Sequence, residues 1–200
     1  MCGIAGIIEL KGNLTAQVRE LIAPMTKCLR HRGPDATNYF HHQQFCYGNS
    51  RLAIMDPSSH ASLPFCTPSK DLVLCFNGEI SNFEELARRF KLHEKYPFIS
   101  HSDAEVLLYL YKDLGIDCLK HLSGMFSFAL YDQLRNQIFI VRDFFGLTPL
   151  FYSCCDQRIF FASEIKALLQ NTSLERTLNQ EAFFHLLSLG YMPKQHTPYQ

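Results

Sequence analysis

The second residue of the chain is a cysteine, and the small apolar run Gly3, Ile4, Ala5, Gly6 follows it. A thiol in that place has two readings. It can be a small hydrophobe of a buried first strand. It can also be a nucleophile, because removal of Met1 would leave Cys2 with both a thiol and a free α-amine. Such an amine ordinarily titrates at about 7.7–8.0. It can take the thiol proton, directly or through one water, and later return it to a leaving amine. One residue then supplies nucleophile and base.

Asn77-Gly78 is the second candidate. The dipeptide is a strong hairpin signal, yet a capped helix pattern follows it, not a strand. A strand–Asn-Gly–helix junction aims an amide side chain and a backbone N–H at one point, which is what an oxyanion hole requires. Arg51 and Asp103 form the third. Each has an ordinary role, as a solvated charge or as a carboxylate in the first turn of a helix. Together they could clamp a zwitterionic amino acid, guanidinium on carboxylate and aspartate on ammonium. The histidines show no H-x-x-x-H or H-E-x-x-H spacing, so no metal site is expected. No phosphate-binding loop and no G-x-G-x-x-G occurs, so no nucleotide site is expected in these residues.

These side chains need elements to hold them. Residues 3–9 read as a strand. Thr15 can cap a helix with Val18, Leu21, Ile22, Met25 and Leu29 on one face, broken near Pro24. "RHRGPDATNYF" reads as a polar loop, "QFCYGN" and "RLAIMD" as strands, and "PSSHASLPFCTPS" as a loop long enough for a lid. "DLVLCF" reads as a buried strand. Ser81 with Glu84, or Asn82 with Glu85, can box the next helix, and Ser102 with Glu105 the one after, which Gly115 stops. From 125 to 163 four strand runs alternate with short turns, which predicts antiparallel meanders, and "SEIKALLQ" reads as a helix. The class is α+β, with antiparallel sheet that needs cover.

Composition narrows the function. Lys+Arg and Asp+Glu are both 19, so the formal charge is zero and neither nucleic acid nor a membrane surface is an expected partner. No apolar run is long enough to span a bilayer, and no signal peptide is recognisable. The cysteines at 2, 28, 46, 66, 75, 118, 154 and 155 lack C-x-x-C spacing, which fits reduced thiols in the cytoplasm.

Taken in order, "MCGIAGI", "RHRGPDA", "RLAIMD", "NGEISNFEEL", "SDAEVLLYLY", "LSGMFSFALYD", "VRDFFGLTPLFY" and "FASEIKALL" resemble the N-terminal glutaminase domain of class II glutamine amidotransferases, in the asparagine-synthetase branch. The resemblance implies a four-layer αββα Ntn-hydrolase sandwich of two antiparallel sheets. It implies glutaminase activity over residues 1–175, with 176–200 a linker and the start of an absent C-terminal synthetase domain. Cys2 would attack the side-chain amide of L-glutamine, and Asn77 with Gly78 would hold the oxyanion. Arg51 would take the α-carboxylate, Asp103 and Glu79 the α-amine, and Leu52, Ile54 and Ser102 would wall the pocket. No cofactor is expected in this domain. ATP and Mg belong to the absent synthetase domain, which would use the ammonia to amidate a carboxylate, by family default that of aspartate. That domain would sit on a longer protein or a partner chain, and a homodimer is a further possible association. Two other readings stay open, a stand-alone Ntn amidase and a non-catalytic glutamine-binding module.

The chain departs from the family pattern in three places. The stretch after Asp56, "PSSHASLPF", has no Gly and no Gln before Pro64. Ser81 replaces a usual Tyr. Phe144, Phe145 and Thr148 replace the usual basic and aliphatic pattern.

Overall fold

The computed structural model describes residues 1–193 and 196–199. These form two compact units, residues 1–170 and residues 171–200. In the first, β1 (Gly3–Glu9) is buried along its whole length. It runs through the middle of a five-stranded antiparallel sheet. The order is β2 (Ala36–His41), β3 (Phe45–Arg51), β1, β9 (Arg158–Ala162), β8 (Phe151–Cys155). A second antiparallel sheet runs β4 (Phe65–Cys66), β5 (Leu72–Ile80), β6 (Gly124–Asp132), β7 (Gln137–Arg142).

The two sheets stack on a core of Ile4, Ile8, Phe45, Tyr47, Val73, Ala129, Tyr131 and Phe161. Its aromatic rings interlock, with Phe45 and Tyr131 centroids 4.1 Å apart and Phe45 and Tyr47 at 4.9 Å, the second inside the roughly 4.5–7 Å range where aromatic pairs add to simple area burial. Helices cover both outer faces. α1 (Ala16–Glu20) leads into α2 (Ile22–Lys27), and α2 with α6 (Ile165–Leu168) packs on the first sheet. α5 (Asp103–Leu114) lies on the second, flanked by α3 (Phe83–Arg89) and α4 (Leu92–Lys95). The wholly buried Leu107, Leu108 and Leu110 of α5 join the second core, each worth about 1.5–3 kcal/mol of burial. The expected αββα layering is present.

Several local expectations are corrected. Asn77-Gly78 is neither a hairpin turn nor a strand–helix junction, because β5 continues through it to Ile80. Gly78 makes that possible at φ +141°, in close approach to β6, where a Cβ would stand 2.2 Å from the Met125 carbonyl. "RLAIMD" is strand only at Arg51. Part of the "RHRGPDATNYF" loop becomes β2, because its alternating residues find an open edge on β3. The helix break falls at Leu21, and Pro24 sits in the first turn of α2, where its missing N–H costs nothing. Neither box at the start of α3 forms. Asn82 instead bridges to the chain at 121–123, accepting from Ser123 N–H at 3.0 Å and donating to the His121 carbonyl at 2.9 Å. Ser102 does cap α5 through Ala104 N–H at 3.2 Å, but Glu105 turns away to the Ile99 and Ser100 amides at 3.0 and 2.8 Å. The meander is interrupted too, since the connection from β7 to β8 passes from one sheet to the other.

In the second unit, Asn179 caps α7 (Gln180–Leu189) by accepting from Ala182 N–H at 3.1 Å. The chain then returns, and Leu178 bridges Tyr199.

Gly48 marks how closely α2 rides on β3. A Cβ there would lie 1.9 Å from Thr26 Oγ1, which is already held on the Ile22 carbonyl at 2.7 Å. Gly48→Ala should therefore cost about 1–3 kcal/mol, read as a lower urea midpoint with unchanged slope.

Candidate active site

Cys2 stands one residue before β1, at the open end of the sandwich. Its Sγ lies 3.4 Å from the Leu52 N–H, which points at it as a donor. Its carbonyl accepts from Arg32 Nε at 3.0 Å. Arg32 in turn donates through Nη1 to Glu164 Oε1 at 3.0 Å. Glu164, just ahead of α6, also meets His31 Nε2 at 2.9 Å and Lys166 Nζ at 3.0 Å. Partial burial opposes its ionisation, but hydrogen bonds from Lys166, Arg32 and His31 outweigh that and hold its carboxyl down to about 2. The result is a permanent anion locking a guanidinium onto the Cys2 backbone. Sequence reasoning missed both Arg32 and Glu164 as working residues. Both lie in motifs singled out above, Arg32 in "RHRGPDA" and Glu164 in "FASEIKALL", but nothing in the sequence pairs them across that separation.

Burial pushes the Cys2 thiol up, against the opposing pull of the Leu52 N–H, the terminal ammonium and Arg51. A thiol in such a place reacts only once its proton has been taken, because the thiolate is the reactive form.

A cavity of about 120 Å³ opens beside the thiol, well below the roughly 300–1,000 Å³ of drug-sized sites. Cys2, Arg51, Leu52, Ile54, Gly78, Glu79, Ser102 and Asp103 all line it, so the fold gathers every sequence-predicted site residue there except Asn77. Met1 stands in the same lining.

Arg51 is buried, and its guanidinium is engaged by the following loop. Nη1 donates to the Ser58 carbonyl at 3.0 Å and Nη2 to the Asp56 carbonyl. Asp56 ties that loop to the segment before α5 by accepting from His101 N–H at 3.0 Å. Hydrogen bonds from Ser58 and His101 hold its carboxyl down to about 2. Asp103 accepts from Ile80 N–H and Ala104 N–H, both at 2.9 Å, and so fastens the start of α5 to the end of β5. Burial raises its pKa despite these bonds, with the Glu79 charge adding to the rise. Two carboxylates facing one small cavity favour a cationic group between them.

Asn77 is fully buried one residue away. Its Nδ2 donates to Ser127 Oγ at 3.3 Å, and its Oδ1 has no partner. An orphaned buried amide oxygen is uncommon. Turning the amide over would let the Ser127 hydroxyl donate to Oδ1 and release both Nδ2 protons.

The glutamine amidotransferase domain family matches residues 1–200. The chain belongs to this family. This amidotransferase domain is 34% identical over 191 residues to asparagine synthetase [glutamine-hydrolyzing] 3 of Bacillus subtilis (strain 168), covering 95% of the chain and 31% of the relative. Over 169 residues it is 37% identical to the asparagine synthetase [glutamine-hydrolyzing] of Zea mays, with 84% and 28% covered. The domain thus spans about a third of the length of these relatives. Glutamine phosphoribosylpyrophosphate amidotransferase from B. subtilis shares the fold, with a TM-score of 0.68 at 20% identity over 84% of this chain and 43% of that one. Among the described residues no helix is long and apolar enough to cross a membrane.

The Glu164 anchor makes a pH prediction. Its folded pKa is depressed from 4.5 to about 2, so its stabilisation is complete above about 4.5 and fades as pH falls toward about 2. Wild type should lose on the order of 2 kcal/mol more than Glu164→Gln between those limits, measured as the difference between their denaturation curves at each pH.

Proposed function

We propose that this domain hydrolyses L-glutamine to glutamate and ammonia with Cys2 as nucleophile, after removal of Met1. The observation that carries the reading is the convergence on one small cavity of Cys2, the Arg51 guanidinium and two carboxylates, Glu79 and Asp103. A cationic and an anionic wall beside a thiol suit a zwitterionic amino acid held by its α-groups. Family membership points the same way.

In the proposed course, the freed α-amine of Cys2 accepts the thiol proton. The thiolate attacks the glutamine Cδ, and the carbonyl π pair moves to oxygen. The Gly78 N–H and the Asn77 amide stabilise that oxyanion, each such donor typically worth about 2.7–4 kcal/mol. The tetrahedral carbon collapses, the C–N bond breaks, and the protonated amine gives its proton to the leaving nitrogen. Ammonia departs and a glutamyl thioester remains. Water, deprotonated by the same amine, then cleaves the thioester to glutamate and restores the thiol. Arg51 and Asp103 hold the substrate α-groups throughout, and Leu52, Ile54 and Ser102 shape the wall. The ammonia serves ATP-dependent amidation by a synthetase domain of a longer protein or a partner chain, with aspartate as acceptor.

The test has three readouts. Intact mass should show loss of Met1, and a glutamine-analogue electrophile should add once, at Cys2. Arg51→Ala should raise the KM for glutamine about 10–100-fold, as expected for a lost charge-assisted bond, with Arg51→Lys intermediate. Retention of Met1 with full activity would overturn the amine's role, and an unchanged KM would overturn the substrate assignment.

A further inference from the structure

Within the second unit, the described residues bring together another set of side chains with metal-ligand chemistry. These are Glu181, His185 and His196, whose ligating atoms all lie within 4.8 Å of one another. We propose that they bind a divalent transition-metal ion of zinc type.

Two of the three come from α7. Glu181 and His185 are four residues apart and so share a helix face. The third comes from the returning chain. The Asn179 N–H donates to the Pro198 carbonyl at 2.9 Å, and Thr197 Oγ1 donates to the Tyr199 carbonyl at 2.6 Å. With the bridge from Leu178 to Tyr199, these bonds fix where His196 must stand.

The spacing favours an ion over simple pairing. His185 Nε2 and His196 Nε2 face the same carboxylate oxygen, Glu181 Oε1, at 3.6 and 4.0 Å. Both distances exceed the roughly 2.7–3.2 Å of an N–H···O bond. Ligands around a tetrahedral zinc, bonded at about 2.0–2.2 Å, stand about 3.4 Å apart. Neither imidazole is within hydrogen-bond distance of Glu181, and with all the ligating atoms inside 4.8 Å a contraction of at most about 1.4 Å closes them on an ion. The imidazole side chains are only 28% and 23% exposed, so their rotamers are restricted, while Glu181 faces solvent. Two imidazoles and one carboxylate suit zinc, cobalt, nickel or copper, and suit calcium or magnesium poorly, because those want oxygen ligands. With three protein ligands the fourth position falls to water. A bound ion would clip the returning chain onto α7. The Glu-x-x-x-His spacing lay outside the two-histidine patterns sought in the sequence, and His196 is close only in space.

The full chain, stripped with chelator, should be titrated with Zn²⁺ by calorimetry and with Co²⁺ by absorption. The expected result is one ion per chain, with visible cobalt bands and no thiolate-to-metal absorption, which excludes the eight cysteines. His185→Ala and His196→Ala should each weaken binding at least about 100-fold, since even outer-shell losses cost about 10–100-fold. Both substitutions leave helix content intact, checked by circular dichroism. Zinc should also slow proteolysis between α7 and residue 199 in the wild type and not in either variant. The proposal is overturned if binding survives both substitutions, if thiolate absorption accounts for the bound cobalt, or if no binding occurs up to about 1 mM metal.

Discussion

Cys2 owes its position to a strand that is paired on both sides. Gly3 opens β1 opposite Ser50 of β3, and from Ala5 onward the other edge is matched to β9, beginning at Ala162. The joint is closed by two bonds between Ile4 and Ser163, at 2.9 and 3.0 Å. A strand held that way has no freedom to slide, because a one-residue slip would turn its buried isoleucines to the wrong face. The thiol just ahead of it inherits that rigidity. The aromatic core behind β1 then sets the separation of the two sheets, and with it the distance from the thiol to Gly78 on the opposing sheet.

The charged groups around the cavity each hold a piece of the fold in place. Arg32 and Glu164 act on the Cys2 backbone. Asp103 fixes the start of α5, and Arg51 collects the carbonyls of the loop that follows β3. Each is therefore anchored before any ligand arrives. Preorganisation of this kind lowers the entropic cost of binding, and it makes the site's geometry a property of the fold.

Much of this was legible in the residues. Cys2, Arg51 and Asp103 could be singled out because their chemistry is distinctive and their neighbours signal a strand end or a helix start. The hairpins of β6 with β7 and of β8 with β9 followed from their short turns, whereas the αββα layering came from the family resemblance. What was not legible arises from tertiary pairing. Asn77-Gly78 carries a turn signal, yet β6 offers it a full ladder of partners, and the ladder prevails over local propensity. β2 was hidden because its polar residues form a strand only against β3. Asn82 and Glu105 abandoned their local caps for amides made available by the fold. Arg32 and Glu164 meet only after the two ends of the unit come together.

That meeting has a consequence for synthesis. Within the unit, the strand behind Cys2 comes early in the chain, and its second neighbour, β9, is among the last elements. A nascent chain can pair β1 with β3 early, but one edge of β1 stays open, and Cys2 stays without its Arg32–Glu164 lock, until residues 158–164 have left the ribosome. Domains fold late when their pairings are this distant in sequence. Over that interval the segment ahead of β1 lacks half of the packing that the finished fold gives it.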